Sequence, residues 1–287
     1  MNYEILKPKT NPTGFEIKPL YGLDPEEARA MAARVRWELF DAEYYTYLFK
    51  TKNVDMVSRF IPPPLKFVAE MPLINVCVQQ LKLNDGEGND GLNAGYLENI
   101  LGAVVEYKGS IGLYPISILI ETDIGAIAGR EMIGTAKKVG QFEYGREGNR
   151  FSWKTSRRGI PIIEASGEVM PGEADPSGVT SLLEQPTYHL HQVMGPLLGN
   201  EGPLYAYKPR LMKLWAQVDK IHSFQVMDNV SFGFNESPFD PICLMEPSEI
   251  LGASYLKANT SIRIDPEFEE LDADEMTPFL FSKFDPL

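Results

Sequence analysis

The feature that most restricts the fold of this 287-residue chain is a succession of short segments rich in β-branched and aromatic residues, most of them bounded by turn residues. Such segments are typical of β-strands. The predicted strands cover residues 43–50, 73–83, 100–107, 111–122, 142–144, 151–155, 160–170, a run centred on Tyr188, and residues 213–218, 223–234 and 250–264. They predict an α+β fold, predominantly antiparallel β, whose single sheet closes like a barrel with a few peripheral helices.

Two helices are predicted before the third strand. The first begins with Asp24 as N-cap and Pro25 at the first helical position, and its apolar residues keep helical spacing to about Phe40. The second covers residues 54–60 and stops at three prolines. No repeat or break in composition marks a boundary, so we expect one domain over residues 1–287. It carries an N-terminal extension (about 1–40) and an acidic, aromatic C-terminal tail (about 265–287) that is compatible with docking on a neighbouring subunit.

Charge and composition exclude several classes of partner. A net charge of −13 and a pI near 4.8 argue against nucleic acid, whose phosphates need a basic face. Two cysteines, Cys77 and Cys243, are too few for a disulfide framework and favour a reducing compartment. The N-terminus lacks the pattern of a secretion signal, and the longest apolar run, residues 111–120, is too short to cross a bilayer. We therefore expect a soluble, cytoplasmic protein with no membrane partner.

The stretch G-R-E-M-I-G-T-A-K-K-V-G places two adjacent lysines, Lys137 and Lys138, after a passage of small and apolar residues. A free lysine has a pKa of about 10.4, so only about one in 2,500 is neutral and nucleophilic at pH 7. Apolar surroundings and a second cation both disfavour the ammonium form. The pair is thus a candidate imine-forming site. A solvated, charged turn is the alternative interpretation of the same dipeptide.

Several motifs carry a family resemblance. The run A-I-A-G-R-E-M, followed after four residues by K-K-V-G, resembles the signature of the acetoacetate decarboxylase family. The E-Y-Y motif from Glu43, P-P-P-L ending at Leu65, P-L-I from Pro72 and the Tyr-x-Glu motif ending at Glu98 are similar to further motifs of that family. The similarity spans about residues 40–265. It implies the family's fold, assembly as a homo-oligomer and a keto acid as substrate.

The resemblance also implies roles for individual residues. The first lysine of the pair, Lys137, forms the Schiff base, and no metal, flavin or pyridoxal cofactor is required. Glu98 is the acid/base or the electrostatic partner of the iminium. The residues expected to tune or line the pocket are Lys138, Arg130, Glu43, Tyr96, Tyr114 and Tyr255. Each tyrosine is a candidate proton donor, with a core or rim aromatic as the alternative.

Two departures from the family pattern leave the reaction open. Ala42 stands where the family's decarboxylases have an arginine, and Cys77 stands where we place their second pocket glutamate. Decarboxylation of a β-keto acid is the first hypothesis. A Schiff-base aldolase or dehydratase is the second, which Ala42 and Cys77 favour. A non-catalytic barrel that binds a small ligand is the third.

Two stretches invite a metal interpretation that we do not favour. His189 and His191 alternate on a predicted strand, as two metal ligands would, but only His222 remains as a third histidine. Residues 84–95 are rich in glycine and acids, yet lack the spaced ligands and final glutamate of a calcium loop. We therefore interpret both histidines as structural and predict no metal site.

Overall fold

A computed structural model of the protein describes residues 22, 24–34, 38–80, 82–83, 95–195, 203–283 and 285. The predicted acidic loop lies outside these residues, apart from Gly95 at its end. The contacts within the chain divide it into two compact units, Met1–Arg36 and Trp37–Leu287.

The first unit contains one described helix, α1 (Pro25–Arg34). It begins as predicted, because the Asp24 side chain accepts a hydrogen bond from the backbone N–H of Glu26 at 2.8 Å. The predicted end near Phe40 is wrong. Leu39 pairs with Thr260 and so belongs to a strand that starts at Glu38, which shows that sheet pairing overrides a helical spacing of apolar residues.

The described residues of the second unit form thirteen strands and several short helices. The strands are β1 (Glu38–Thr51), β2 (Lys66–Phe67), β3 (Leu73–Gln80), β4 (Lys82–Leu83), β5 (Tyr96–Tyr107), β6 (Ser110–Ile120), β7 (Lys137–Val139), β8 (Gln141–Glu147), β9 (Arg150–Arg157), β10 (Ile160–Val169), β11 (Thr187–His191), β12 (Arg210–Phe234) and β13 (Pro247–Glu270). The helices are α2 (Val54–Phe60), α3 (Asp123–Ile133), α4 (Ser177–Leu183), α5 (Ala273–Met276) and two 3₁₀-helices, Pro241–Met245 and Thr277–Lys283.

Seven strands form a ring in the order β11, β6, β5, β3, β1, β13, β12. Strand β11 closes it, because it pairs with β6 in parallel at Thr187 and Leu113 and with β12 in antiparallel fashion. Strands β10, β9 and β8 continue the sheet outward from β12. Apart from the parallel contacts of β11 and β7 with β6, the pairing is antiparallel. The predicted α+β fold with a closed, barrel-like antiparallel sheet and few helices is confirmed.

The longest strands differ from their predicted limits. Residues 213–218 and 223–234 belong to one strand, β12, which the alternation of residue types divides in two. Register shifts near Met212, Val218 and Ile221 explain the break, since each bulge reverses the face on which later side chains lie. Helices α3 and α4 were not predicted, and both contain glycine, which weakens a helical pattern in sequence.

Part of the acidic, aromatic C-terminal tail packs on its own chain. Residues 265–270 extend β13, and Phe268 pairs with Met212 of β12. Leu280 is buried, and Phe279 packs against the same core as residues of the ring. Phe281 remains 49% exposed. Leu280 and Phe279 thus pack on their own chain, whereas Phe268 is 45% exposed.

Candidate active site

A lysine and a glutamate form a buried pair on one face of the sheet. Glu98 in β5 lies opposite Ile120 of β6, and Lys137 in β7 lies opposite Ile118 of the same strand. Positions two apart on a strand share a face, so both side chains lie on the same side of the sheet. The Lys137 Nζ donates to Glu98 Oε2 at 2.7 Å. Lys137 is 8% and Glu98 5% exposed. The two residues predicted as catalytic are thus in contact and shielded from water.

The glycines of the lysine motif make this placement possible. A Cβ on Gly129 would lie 2.8 Å from Lys137 Cδ and 2.6 Å from Thr135 Oγ1, so the lysine stem passes directly over the helix backbone. Gly134 ends α3 in the left-handed region with φ 76°, and a Cβ there would lie 2.5 Å from His191 Cα. The turn into β7 therefore fits tightly between α3 and β11.

Lys138 does not lie beside Lys137 in the pocket, contrary to our prediction. Adjacent strand residues point to opposite faces. On the far side, Lys138 Nζ lies 3.1 Å from Asp240 Oδ1 and 3.6 Å from Asp285 Oδ1, and it donates to the carbonyl of Phe239 at 3.3 Å. Its charge is balanced there, so it is not the second cation that we expected to act on the nucleophile.

The same far-side cluster holds the end of the chain. Arg157 donates to both carboxylate oxygens of Asp285 at 3.0 Å and also contacts Asp240. Arg158 adds a contact to Asp285 at 2.9 Å. Burial acts to raise the pKa of Asp285, but the hydrogen bonds and charge of Arg157 and the charge of Lys138 outweigh it, so that the pKa lies below its usual 3.8. The carboxylate thus stays ionised and paired.

Glu43 and Tyr255 belong to a different cluster from the one predicted. Arg146 contacts Glu43 Oε2 at 3.1 Å and the Tyr255 hydroxyl at 3.4 Å. The hydroxyl of Tyr45 also donates to Glu43, at 3.0 Å. Burial raises the pKa of Tyr255 and hydrogen bonding from Arg146 lowers it, with a net rise. Glu43 and Tyr45 occupy the odd positions of β1 and face away from Glu98, so neither Glu43 nor Tyr255 lines its pocket.

A tyrosine on the face of Glu98 that we did not predict is Tyr44. Tyr44 pairs with Val78, and Val78 pairs with Glu98 across the next strand. Burial raises the pKa of Tyr44, a hydrogen bond with Thr260 at 2.6 Å lowers it, and the charge of Glu98 raises it further. The E-Y-Y motif thus places Tyr44, and not Glu43, on the face of the sheet that carries Glu98.

The other two predicted tyrosines, Tyr96 and Tyr114, lie on opposite faces of the sheet. Tyr96 lies two positions before Glu98 on the same strand and therefore on the same face. Tyr114 pairs with Ala103, on the opposite face, and packs in the largest hydrophobic cluster. Burial raises its pKa. Tyr114 is a core residue and not a pocket residue.

Ala42 and Cys77, the two departures from the family pattern, lie on opposite faces of the sheet. Ala42 lies in the hydrophobic cluster that contains Tyr44 and Val78, on the face of Glu98. Cys77 faces the other way, and the side-chain amides of Asn99 and Asn75 donate to its sulfur at 3.2 and 3.7 Å. Burial raises the pKa of Cys77 to about 12, although these hydrogen bonds lower it in part. The assignment of Cys77 to the Glu98 pocket is wrong, because the register places Val78 opposite Glu98.

Two charged or polar groups near Lys137 were not recognised as site residues. His189 is 4% exposed, and neither ring nitrogen has a hydrogen-bond partner. Burial, followed by the positive charges of Lys137 and Lys283, lowers its pKa to about 3. Lys283, in the C-terminal 3₁₀-helix, is 3% exposed. Burial and the charge of Arg130 lower the pKa of Lys283 to about 7, while Glu131 opposes the change. Lys283 belongs to no motif, and the alternation of His189 with His191 led us to interpret His189 as structural.

His191 contacts two other segments of the chain. Its Nε2 lies 2.9 Å from the carbonyl of Glu131, and its Nδ1 lies 2.8 Å from the hydroxyl of Tyr207. It thereby joins β11 to the C-terminal end of α3. In the described part of the chain, no three histidine, cysteine or acidic side chains are arranged to hold a metal ion.

A cavity of about 700 Å³ lies elsewhere, over strands β8, β9 and β10. It is bordered by Glu143 and Lys154, whose side chains pair at 2.5 Å. Neither Lys137 nor Glu98 lines it. This cavity is therefore separate from the buried pair.

The sequence as a whole matches one family. A profile of the family described as "Acetoacetate decarboxylase (ADC)" matches residues 24–271. The chain belongs to the acetoacetate decarboxylase family. No curated protein sequence matches it. Family membership indicates an enzyme of the Schiff-base type and leaves its reaction open. None of the helices in the described part of the chain combines the length and hydropathy that a membrane crossing requires.

Solved structures of acetoacetate decarboxylase-like proteins share this fold. An acetoacetate decarboxylase from Legionella pneumophila subsp. pneumophila str. Philadelphia 1 is 16% identical, with a TM-score of 0.69 over 83% of this chain and 88% of that one. The enduracididine biosynthesis enzyme MppR, complexed with the condensation product of pyruvate and imidazole 4-carboxaldehyde, is 18% identical, with a TM-score of 0.68 over 90% and 98%. An acetoacetate decarboxylase-like enzyme from Sphingomonas wittichii RW1 is 15% identical, with a TM-score of 0.64 over 80% and 91%.

Proposed function

We propose that this protein is a carbon–carbon lyase that forms a Schiff base between Lys137 and a keto acid, most simply to decarboxylate a β-keto acid. The observation that carries the proposal is the buried contact of 2.7 Å between Lys137 Nζ and Glu98 Oε2. Burying an oppositely charged pair costs about as much in lost hydration as it returns, so such a pair contributes little to stability. A nucleophile beside a proton acceptor is, in contrast, what imine formation requires.

The first step uses only these two side chains. Glu98 accepts a proton from the Lys137 ammonium, and the freed amine attacks the carbonyl carbon of the substrate. A carbon–nitrogen bond forms, and the carbonyl oxygen takes up protons and leaves as water. The product is a protonated imine, with Glu98 positioned to return or remove protons at the nitrogen.

Decarboxylation follows from the imine alone. The bond between the carboxylate and the adjacent carbon breaks, CO₂ leaves, and the electron pair moves into the protonated imine to give an enamine. A proton then adds to carbon, and water hydrolyses the imine to release the ketone and regenerate Lys137.

Aldol addition or dehydration is the second candidate. Here Glu98 removes a proton from the carbon next to the imine, and the enamine attacks an aldehyde or expels a hydroxyl group. The position of Ala42 favours this reaction, because no guanidinium at that position orders an acidic group on the Glu98 face. The likeness in fold to MppR, whose structures contain pyruvate and a pyruvate condensation product, supports the same candidate.

Borohydride trapping tests the proposal. The protein is treated with acetoacetate or with pyruvate and then with borohydride, and the adduct is located by mass spectrometry. We expect an adduct on Lys137 that is absent in Lys137→Ala and retained in Lys208→Met, a control at an exposed lysine. Release of CO₂ from acetoacetate supports decarboxylation, whereas consumption of pyruvate with an aldehyde supports the aldol reaction. If no keto acid is trapped on Lys137, the remaining hypothesis is the non-catalytic barrel that binds a small ligand.

A further inference from the structure

We propose that Lys283, in the C-terminal 3₁₀-helix Thr277–Lys283, binds a carboxylate of the substrate beside the imine on Lys137. This inference rests on the function proposed above and adds a second substrate contact from a segment beyond the family match, which ends at residue 271. It assigns the ligand class as a keto acid that carries its carboxylate into the pocket.

The surroundings of Lys283 leave its ammonium poorly paired. An ammonium has three donors, and the one hydrogen bond of Lys283 Nζ goes to the backbone carbonyl of Gln192 at a long 3.5 Å. Among the residues that the structure describes, no carboxylate forms an ion pair with it. The backbone around it is nevertheless fixed, because the side-chain amide of Gln192 donates to the carbonyl of Phe279 at 2.7 Å and to Ser282 Oγ at 3.2 Å. A held, buried cation without a counter-ion suits an anionic ligand.

His189 is influenced electrostatically by both this cation and the candidate nucleophile. The positive charges of Lys137 and Lys283 both act on its imidazole, which is buried and has no partner at either nitrogen. Thr135 Oγ1 is also buried without a partner, and it lies against Gly129 together with the Lys137 stem. Buried polar atoms in proteins are nearly always hydrogen-bonded, so the unsatisfied atoms of His189 and Thr135 provide hydrogen-bonding groups for a polar ligand or for ordered water.

A carboxylate matches this set in charge and in hydrogen bonding. Its oxygens accept from the Lys283 ammonium and from the N–H of a neutral His189. Positive charge near Lys283 also comes from Arg130, and Glu131 opposes it more weakly. A neutral ketone would occupy Lys137 and leave the Lys283 donors unsatisfied. We therefore expect the pocket to prefer keto acids over ketones.

The contact also bears on which carboxylate is bound. Decarboxylation converts a carboxylate into neutral CO₂, so a cation on the departing group stabilises the ground state more than the transition state. Lys283 therefore suits a carboxylate that the product retains. This is the carboxylate of a 2-keto acid in an aldol reaction, or the second carboxylate of a β-keto diacid.

A comparison of two trapping probes isolates the contribution of Lys283. Pyruvate has both a carbonyl and a carboxylate, whereas acetone has only the carbonyl. We expect Lys283→Met to raise the pyruvate concentration for half-maximal borohydride trapping by about 10- to 100-fold, the range for a lost hydrogen bond to a charged group. The acetone value should stay within about twofold of wild type, as should both values in the Lys208→Met control.

A pH series with Lys283→Arg provides a readout that a purely structural role would not change. Because the pKa of Lys283 is about 7, the preference of the wild type for pyruvate over acetone should decline as the pH rises above 7. The arginine variant stays charged, so its preference should be constant up to pH 9. Arg130, Glu131, Lys137 and His189 also act in this region, but they are common to both proteins.

The outcomes separate the two proposals. Equal losses for pyruvate and acetone in Lys283→Met, or no loss for either, would overturn the carboxylate contact while leaving the imine intact. If the wild type traps neither probe, the imine proposal fails. The contact between Lys283 and a carboxylate is then tested by the binding of propionate, which has a carboxylate but no ketone. Propionate should bind at least tenfold more weakly to Lys283→Met, and equal binding would overturn the contact in that case too.

Discussion

At the scale of single residues, the proposed chemistry depends on a lysine and a glutamate that are both buried. Removing one partner of a buried pair leaves an uncompensated charge, which costs about 3–5 kcal/mol. We expect Lys137→Met to lower the free energy of unfolding by that amount, because Glu98 remains buried. The double variant Lys137→Met with Glu98→Leu should recover most of the loss, despite carrying two changes.

Urea unfolding of the two single variants and the double variant measures this coupling. Met and Leu are close in size to Lys and Glu, so the stability of the double variant reports the loss of the two charges and not a new cavity. A double variant as unstable as the sum of its parts would show that the two side chains do not interact as an ion pair.

The imidazole of His189 gives a prediction in acid. Its pKa falls from 6.5 to about 3 through burial and the charges of Lys137 and Lys283. Between these values the unfolded chain binds one proton more than the folded chain. The free energy of unfolding therefore falls as the pH falls from 6.5 towards 3, by up to about 1.4 kcal/mol per unit.

We expect His189→Gln to lose this part of the slope, and urea unfolding at pH 7, 6, 5 and 4 measures it. The other titrating groups are shared, so the difference between the two profiles belongs to the imidazole. Parallel profiles would mean that His189 is solvated enough to stay protonated.

The sequence could predict these residues only in part. Lys137 and Glu98 stand in motifs, and their contact follows once β5, β6 and β7 are adjacent. The face of the sheet on which a side chain lies depends on register, which separates Glu43 from Tyr44 and Cys77 from Val78 by a single position. Register arises from pairing between distant strands and is not written in any one motif.

At the scale of elements, helix α3 leaves room for Lys137, the proposed nucleophile, because Gly129 has no side chain. Gly129→Ala adds a methyl group 2.8 Å from Lys137 Cδ and 2.9 Å from Cε, which forces the lysine aside. A displacement of about 1 Å at a reacting group costs about 100-fold in rate. We expect borohydride trapping to slow by about that factor while circular dichroism shows the fold unchanged.

Gly178→Ala in helix α4 is the matched control, since a Cβ there meets nothing within 4 Å. Alanine favours a helix over glycine by about 0.5–1 kcal/mol, so this variant should be slightly more stable and should trap at the normal rate. Equal trapping by the two alanine variants would contradict the proposed packing of Lys137 on Gly129.

Helix α3 also shows why some elements escape prediction. Its sequence, D-I-G-A-I-A-G-R-E-M-I, contains two glycines and follows a long apolar strand, so periodicity gives little helical signal. Gly129 within the helix and Gly134 directly after it allow close contact with Lys137 and His191. These are contacts with β7 and β11, which only the folded chain brings together.

At the scale of the whole molecule, the end of the chain is held by ionic contacts to the sheet. Asp285 pairs with Arg157, Arg158 and Lys138. Its pKa is below 3.8, so this stabilisation is present above that pH and is lost as the pH falls through the lowered value. We expect Asp285→Asn to lower the free energy of unfolding by about 1–3 kcal/mol at pH 7.

Hydrogen exchange locates the effect. The amides of residues 277–283 should exchange faster in Asp285→Asn, because the 3₁₀-helix loses its C-terminal attachment. Asp265→Asn removes a single contact of 3.1 Å with Lys213 and should leave those amides unchanged. Unaltered exchange in Asp285→Asn would show that Phe279 and Leu280 hold the helix without the ionic contacts.

Ring closure was predictable from the number of strands and the shortness of their turns. The strand that closes the ring was not, because β11 has only five residues and pairs with β6 in parallel at one position. Nor did the sequence show that the tail packs back on the sheet, since Lys283 and Asp285 lie outside every motif. Both features depend on contacts between residues far apart in the chain.

Strand β7 carries one residue of the proposed active site and one residue of the far-side ionic cluster. Lys137 and Lys138 share a peptide bond, yet one contacts Glu98 and the other contacts Asp240 on the opposite side. A rotation or slip of this short strand that improves one contact must worsen the other. A substitution that changes how Asp240 and Asp285 hold Lys138 is therefore expected to change the position of Lys137 Nζ, the proposed imine nitrogen, as well.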